Sequence, residues 1–191
     1  EQFPLVKDML RLLSINIFEE EGFEADDLIG TLAEYAKVRD TDVYIVTGDK
    51  DALQLCDDNV FVVITKKGIS EKEIYDKNRM ISEFGVTPTE FIDVKGLMGD
   101  ASDNIPGVPG IGSKTAFKLI GQYKSIENVL DNIDNIPGKK IKESLIEYRE
   151  QAIFSKKLAT IMKNVPVEID LNSIKSKDEY DAAGLRKLFV D

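Results

Sequence analysis

Seven carboxylates gather in three short clusters, Glu24-Ala-Asp26-Asp27, Asp49-Lys-Asp51 and Asp100-Ala-Ser-Asp103, and each cluster falls where a predicted element begins or ends. That placement constrains the fold. Acids at the ends of elements meet at one sheet edge in an open α/β arrangement, and a group of this size repels itself unless a cation neutralises it. Oxygen-only donors suit hard divalent ions such as Mg2+ and Mn2+. The chain offers little else for catalysis. It has no His, and its single Cys is Cys56, so zinc centres, cysteine nucleophiles and histidine triads are excluded. Hydrolysis assisted by a pair of divalent ions remains, with phosphodiesters as the natural substrate.

Apolar periodicity supplies the frame. Val6, Met9, Leu10 and Leu13 predict a helix over 3–13, and Leu28, Ile29, Leu32, Ala33 and Ala36 predict a second over 26–39. The β-branched and aromatic run 43–47, stopped by Gly48, reads as a buried strand, and 60–65 reads as another. A turn at 66–68 leads to a hairpin or return strand over 69–75. Helical signals begin at Asp76, Pro88 starts a helix reaching about Gly99, and the Gly- and Pro-rich stretch 105–112 breaks it. Helices are then predicted over 113–123, 125–132, 138–148 and 151–162, and the charged stretch 175–179 is expected on the surface. The expected class is α/β, divided into a sheet-bearing core over 1–103 and an all-helical part over 104–191.

Each acidic cluster also has a simpler explanation. Asp26 and Asp27 stand where capping and the helix macrodipole favour acids. Asp49 and Asp51 could form a polar turn after a strand. Asp100 and Asp103 are spaced to share a helical face, but Gly99 and Asn104 suit a loop equally well. Convergence on one chemistry favours the metal reading, with Glu24, Asp26, Asp27, Asp49, Asp51, Asp100 and Asp103 as candidate ligands. Among these, Asp49, Asp51, Asp100 and Asp103 are the candidate catalytic residues.

A formal net charge of -10 argues against a nucleic-acid partner, yet 104–126 contains no acid and does contain Lys114, Lys118 and Lys124. In that stretch Gly107, Gly110 and Gly112 allow the backbone close to a phosphate, and a helix starting near Ser113 directs free N–H groups outward. Lys114 and Lys118 lie one turn apart on it. Gly107, Gly110, Gly112, Ser113, Lys114, Thr115 and Lys118 are therefore the candidate DNA-binding residues, against the plainer reading of a helix–helix turn. The spacing is not that of a Walker loop. The apolar run 60–64 is too short to span a bilayer, one Cys forms no internal disulfide, and the start at Glu1 suggests a fragment. A soluble cytoplasmic protein is expected.

Three blocks carry a family resemblance: Glu24-Ala-Asp-Asp-Leu-Ile-Gly30, Ile45-Val-Thr-Gly-Asp-Lys-Asp51 and Lys95-Gly-Leu-Met-Gly-Asp-Ala-Ser-Asp-Asn-Ile-Pro-Gly-Val-Pro-Gly-Ile-Gly112. In order and over essentially the whole chain, they resemble the signature blocks of the 5′ nuclease domain of bacterial DNA polymerase I, a family grouped with the flap endonucleases. The resemblance implies a PIN-like three-layer α/β/α core and a helix-three-turn-helix DNA-binding element matching 107–118. It implies two Mg2+ or Mn2+ ions held by the seven acids, with Asp27 mainly behind the direct ligands, and K+ on backbone carbonyls of the helix-three-turn-helix. It further implies a bacterial monomer with no membrane attachment, whose polypeptide also holds a polymerase domain. Its substrate would be duplex DNA with a 5′ end, a flap or an RNA primer, cut during replication and repair.

The family's first Asp-bearing strand, a further Asp and its basic arch have no counterpart in these residues. The ligand set is therefore expected to be incomplete, and the isolated chain to cut poorly. Two rivals stand beside this reading. One is a non-catalytic DNA-structure-binding module whose acids are structural. The other, a PIN-type ribonuclease, would lack the Gly-Ile-Gly-Ser-Lys element.

Overall fold

The computed structural model describes residues 2–66, 70–170 and 180–190. The turn expected at 66–68 and the charged stretch 175–179 fall wholly or partly outside them. The chain divides into two compact units, one made of Glu1–Ala36 with Met162–Asp191 and the other of Lys37–Ile161.

In the first unit, helix α1 (Phe3–Leu12) has a proline in its first turn, where the missing N–H costs nothing. Helix α2 (Ala25–Lys37) forms over the predicted stretch and buries Leu28, Ala33 and Ala36 of the expected apolar set, but Ile29 and Leu32 are only half-buried while Gly30 and Thr31 are buried with the others. A further helix, α9 (Ala182–Val190), was not foreseen; it packs on α1, and Asp181 N donates to Leu12 O at 2.9 Å. The segment after 162 runs along α2, with Val165 N donating to Thr31 Oγ1 at 3.0 Å.

The second unit holds the sheet. Strands β1 (Val43–Thr47) and β2 (Val60–Lys66) pair in parallel, and β3 (Glu71–Tyr75) adds antiparallel to β2, in the order β1-β2-β3. The central strand is the most buried: Val60, Val62 and Ile64 are at most 2% exposed. The expectation that 43–47 is a buried strand needs correction. Ile45 is buried, but Tyr44 and Val46 are 59% and 67% exposed, because alternate side chains face opposite sides of the sheet and only one side of β1 meets the core. Tyr44 covers part of its own ring by stacking on Phe61 at 4.9 Å.

Helices follow: α3 (Lys77–Phe84), α4 (Pro88–Met98), α5 (Ser113–Tyr123), α6 (Ile126–Asp131), α7 (Lys139–Glu147) and α8 (Arg149–Ala159). Helix α4 is the hub. It packs against α5, α8 and the short 3₁₀ helix Asp51–Leu55 that follows β1. Its start is fixed by a capping box, Thr87 Oγ1 accepting from Glu90 N at 3.2 Å and Glu90 Oε2 from Thr87 N at 2.8 Å, with Pro88 in the first turn. Phe91, Val94 and Leu97 are buried along it. Rings of Tyr75, Phe84, Phe91 and Phe117 join β3, α3, α4 and α5, with adjacent centroids 5.7 to 6.4 Å apart.

Buried polar groups fasten these layers. Gln54 donates to Ala159 O at 2.9 Å and accepts from Ile161 N at 3.0 Å, tying the 3₁₀ helix to the end of α8. Asp93 on α4 accepts from Ile126 N at 2.9 Å, capping α6, and pairs with Lys156 of α8 at 2.7 Å. Each polar side chain is matched, as low-dielectric burial requires.

Candidate metal centre and nucleic-acid interface

The loop after β1 turns on its own acids. Asp49 N donates to Thr47 Oγ1 at 3.0 Å, and Asp49 Oδ1 accepts from Asp51 N at 2.9 Å, an Asx-type turn that starts the 3₁₀ helix. Ala52 to Leu55 are buried beneath it, which pulls the Asp51 side chain partly out of solvent and leaves Asp49 exposed.

Helix α4 ends at Gly99, and Asp100 begins the turn that follows. Asp100 and Ile105 exchange backbone hydrogen bonds at 2.9 and 2.8 Å, which closes the loop carrying Asp103. Ser102 donates to Asp100 Oδ1 from its backbone N at 2.9 Å and from its hydroxyl at 2.6 Å. One carboxylate oxygen from each of Asp51, Asp100 and Asp103 lies within 4.8 Å of the others. Asp51 and Asp100 are half-buried and Asp103 is exposed. The loop alternative offered by Gly99 and Asn104 is the one realised.

One residue at this centre has no assigned role in the sequence reading. Lys95, on the last turns of α4, is 5% exposed; its Nζ lies 2.5 Å from Asp51 Oδ1 and is also hydrogen-bonded to Asp100 Oδ2. The signal was a lysine in the otherwise mostly apolar helical stretch 91–98, whose other charge is Asp93, where an unpaired charge is seldom tolerated. Its effects on the two acids differ. Burial pushes the Asp51 carboxyl above the usual carboxylate range, against the opposing bond from Lys95 and with the charges of Asp49 and Asp100 adding to the rise. Asp100 is held down at about 2, first by the bond from Lys95 and then by Ser102. For Lys95 itself burial works against the charge, but the bonds to Asp100 and Asp51 outweigh it and hold the ammonium above its ordinary range. Burial drives the Cys56 thiol up to about 12, so it supplies no nucleophile.

Glu24, Asp26 and Asp27 belong to the first unit. Asp26 and Asp27 occupy the first turn of α2. Asp27 Oδ1 accepts from Met162 N at 2.8 Å and Oδ2 from Glu24 N at 3.4 Å, so this carboxylate organises its own surroundings. An all-oxygen donor set such as Asp51, Asp100 and Asp103 fits a hard divalent cation in ligand type and spacing.

The turns between α4 and α5 lead from the acids to the lysines. Gly107 lies at the crossing point. Its φ is +60°, its N–H donates to Ser155 Oγ at 3.0 Å, its carbonyl accepts from Gln151 Nε2 at 2.8 Å, and an added Cβ would stand 2.4 Å from Gly99 N. Its place is structural packing inside the element. The groups turned outward are Gly110, Gly112, Ser113, Lys114 and Lys118, with Thr115 half-buried. Gly112 caps α5 without a side chain, leaving the helix start open.

Comparison with known proteins places this geometry. A family model described as the N-terminal resolvase-like domain of 5'-3' exonuclease matches residues 1–85, and one described as the C-terminal SAM fold of 5'-3' exonuclease matches residues 86–182. The chain is 50% identical to DNA polymerase I of Bacillus caldotenax over 179 residues, 94% of this chain and 20% of that protein. It thus spans about a fifth of the length of the curated relatives it matches. Among solved structures, phage T5 5'-exonuclease with bound zinc aligns at a TM-score of 0.65 and 27% identity, over 74% of this chain and 51% of that one. The phage T5 D15 flap endonuclease in a product-like complex with DNA and metal ions aligns at 0.67 and 22% identity, over 90% and 61%; at that identity the likeness is one of fold.

Proposed function

The chain belongs to the 5'-3' exonuclease family, and from that premise we propose that it is the nuclease part of a DNA polymerase I type protein, hydrolysing phosphodiesters at 5′ ends and flaps of duplex DNA. The observation that carries the proposal is a continuity of chain. The loop closing α4 presents Asp100 and Asp103 beside Asp51, and the same loop runs into α5, whose start exposes Ser113, Lys114 and Lys118. Phosphate-facing groups and a cation-binding acid cluster are thereby built on one turn system.

Asp51, Asp100 and Asp103 would hold a divalent ion, Mg2+ or Mn2+, and Asp49, Glu24 and Asp26 are further candidate ligands. Bound ions of this kind stabilise the charge that develops on a phosphodiester under attack by water and lower the cost of ionising that water. The chain's own residues do the positioning. Ser102 fixes the Asp100 carboxylate, burial of 52–55 fixes Asp51, and Lys114 with Lys118 would hold backbone phosphates without reading sequence. Asp27, already committed to Met162 and Glu24, would act behind the ligands. Carbonyls of the turns before α5 are the proposed seat for K+. Residues 1–103 would supply the acids and 104–191 the DNA-facing element, in a monomeric, cytoplasmic bacterial protein that also holds a polymerase domain.

The test is cleavage of a 5′-flap duplex under single-turnover conditions with protein in excess, in Mn2+ and in Mg2+. Slow, metal-dependent release of the flap is expected, falling at least about a hundredfold in Asp103→Asn while duplex binding is retained. Cutting that persists in EDTA or in Asp103→Asn contradicts the metal reading. Duplex binding with no cutting above the EDTA control favours a DNA-structure-binding module.

A further inference from the structure

Helix α4 buries two charges among its apolar side chains, Asp93, which pairs with Lys156, and Lys95. A charge taken out of water is tolerated only when it is fully paired, and Lys95 meets that condition through carboxylates on two different elements. It reaches Asp51, at the start of the 3₁₀ helix after β1, at 2.5 Å, and it also bonds to Asp100, in the turn after α4. These two acids, with Asp103, are the same ones whose oxygens lie within 4.8 Å of each other. The ammonium and a divalent ion would therefore call on the same carboxylates. Three ionised acids carry three negative charges; one lysine leaves two, the charge of a single divalent cation.

We propose that Lys95 is the built-in cation of this centre: it holds Asp51 and Asp100 together when no metal is bound, and it competes with the divalent ion for them, so that it sets the metal affinity of the cluster. The inference rests on the metal-binding reading above. Two consequences follow, and the second is the opposite of what a merely structural lysine would give. Without the ammonium, the metal-free cluster is left with three mutually repelling acids and loses stability. The divalent ion, freed from a positive neighbour in contact with its ligands, binds more tightly. A lysine that only arranged the ligands would weaken metal binding when removed.

The experiment is isothermal titration of Mn2+ into the 191-residue chain, wild type against Lys95→Met and Lys95→Arg, with thermal melts of each in EDTA and in saturating Mn2+. Lys95→Met is expected to melt lower in EDTA, to bind Mn2+ about tenfold more tightly and to show a larger Mn2+-induced rise in Tm. Lys95→Arg, which keeps the charge, should stay near wild type. Unchanged or weaker Mn2+ binding by Lys95→Met overturns the role of Lys95 while leaving the metal centre in place. If only Lys95→Met binds Mn2+, the competition is complete and the inference stands. If neither binds, both the inference and the metal reading fall.

Should Lys95→Met fail to fold, the wild type still decides. In lysine-ammonium 1H–15N correlation spectra, the Lys95 signal, assigned by its loss in Lys95→Arg, should move saturably as Mg2+ is added. A signal unmoved at saturating Mg2+ rejects the competition.

Discussion

Asp100 shows how one ammonium can shape the acid response of a residue. Its folded-state ionisation is held at about 2, against 3.8 ordinarily, by the bond from Lys95 and then by Ser102. Between those values the unfolded chain binds the proton and the folded chain does not, so the contribution of Asp100 is fully present above the ordinary value and is lost as pH falls through about 2. Asp51 runs the other way: burial raises its ionisation, so its contribution is present at low pH and is lost as pH rises past the raised value. The prediction for the metal-free protein follows. Urea melts between pH 2 and pH 5 should show wild-type stability falling with acid more steeply than in Asp100→Asn, by on the order of 1 kcal/mol after allowance for solvent screening. Equal slopes in the two proteins would show that Asp100 is not held down by Lys95. Little of this pairing was legible beforehand: the acids stand out in the sequence by clustering, whereas Lys95 gains its partners only through the packing of α4 against the 3₁₀ helix.

At the scale of elements, what could be read depended on whether the cause was local. The start of α4 was foreseen from Pro88 and β2 from its β-branched run, while the Thr87–Glu90 capping box at that start, equally local in cause, was not read. The 3₁₀ helix Asp51–Leu55 was not, because its regularity comes from the burial of Ala52, Leu53, Gln54 and Leu55, with Gln54 bonded to residues more than a hundred positions away. The one-sided burial of β1 and the presence of α9 are likewise tertiary facts. The turn between α4 and α5 lies between these cases: its glycines were read as close-approach points for phosphate, yet Gly107 is buried against Gly99. Gly107→Ala should accordingly cost roughly 2–4 kcal/mol, from the left-handed φ and the overlap with the Gly99 backbone. Gly121→Ala, inside α5 with only an ordinary 3.7 Å contact to Gly85 O, should be neutral or stabilising by up to about 1 kcal/mol. Chemical denaturation of the two variants separates them, and a Gly107→Ala protein as stable as wild type would mean that the turn system tolerates a Cβ at its crossing point.

For the molecule as a whole, the proposed function requires a chain of formal charge -10 to approach a polyanion. The charge is unevenly distributed: residues 104–126 contain no acid, and the exposed start of α5 places Lys114 and Lys118 on one helical face. Over distances beyond about 8–10 Å at physiological salt the acids elsewhere are screened, so in the proposed complex contact with phosphates would be governed by the local patch and not by the total. Counterion release then makes affinity fall as salt rises, with a slope set by the number of phosphates neutralised. Removing both lysines should weaken duplex binding uniformly across sequences and reduce the slope of log Kobs against log salt by up to about two. Fluorescence anisotropy with a duplex of mixed sequence, titrated at several KCl concentrations in wild type and in Lys114→Ala with Lys118→Ala, measures that slope. If the slope is unchanged in the double variant, the phosphates are held elsewhere, and the open start of α5 is a helix–helix turn and nothing more.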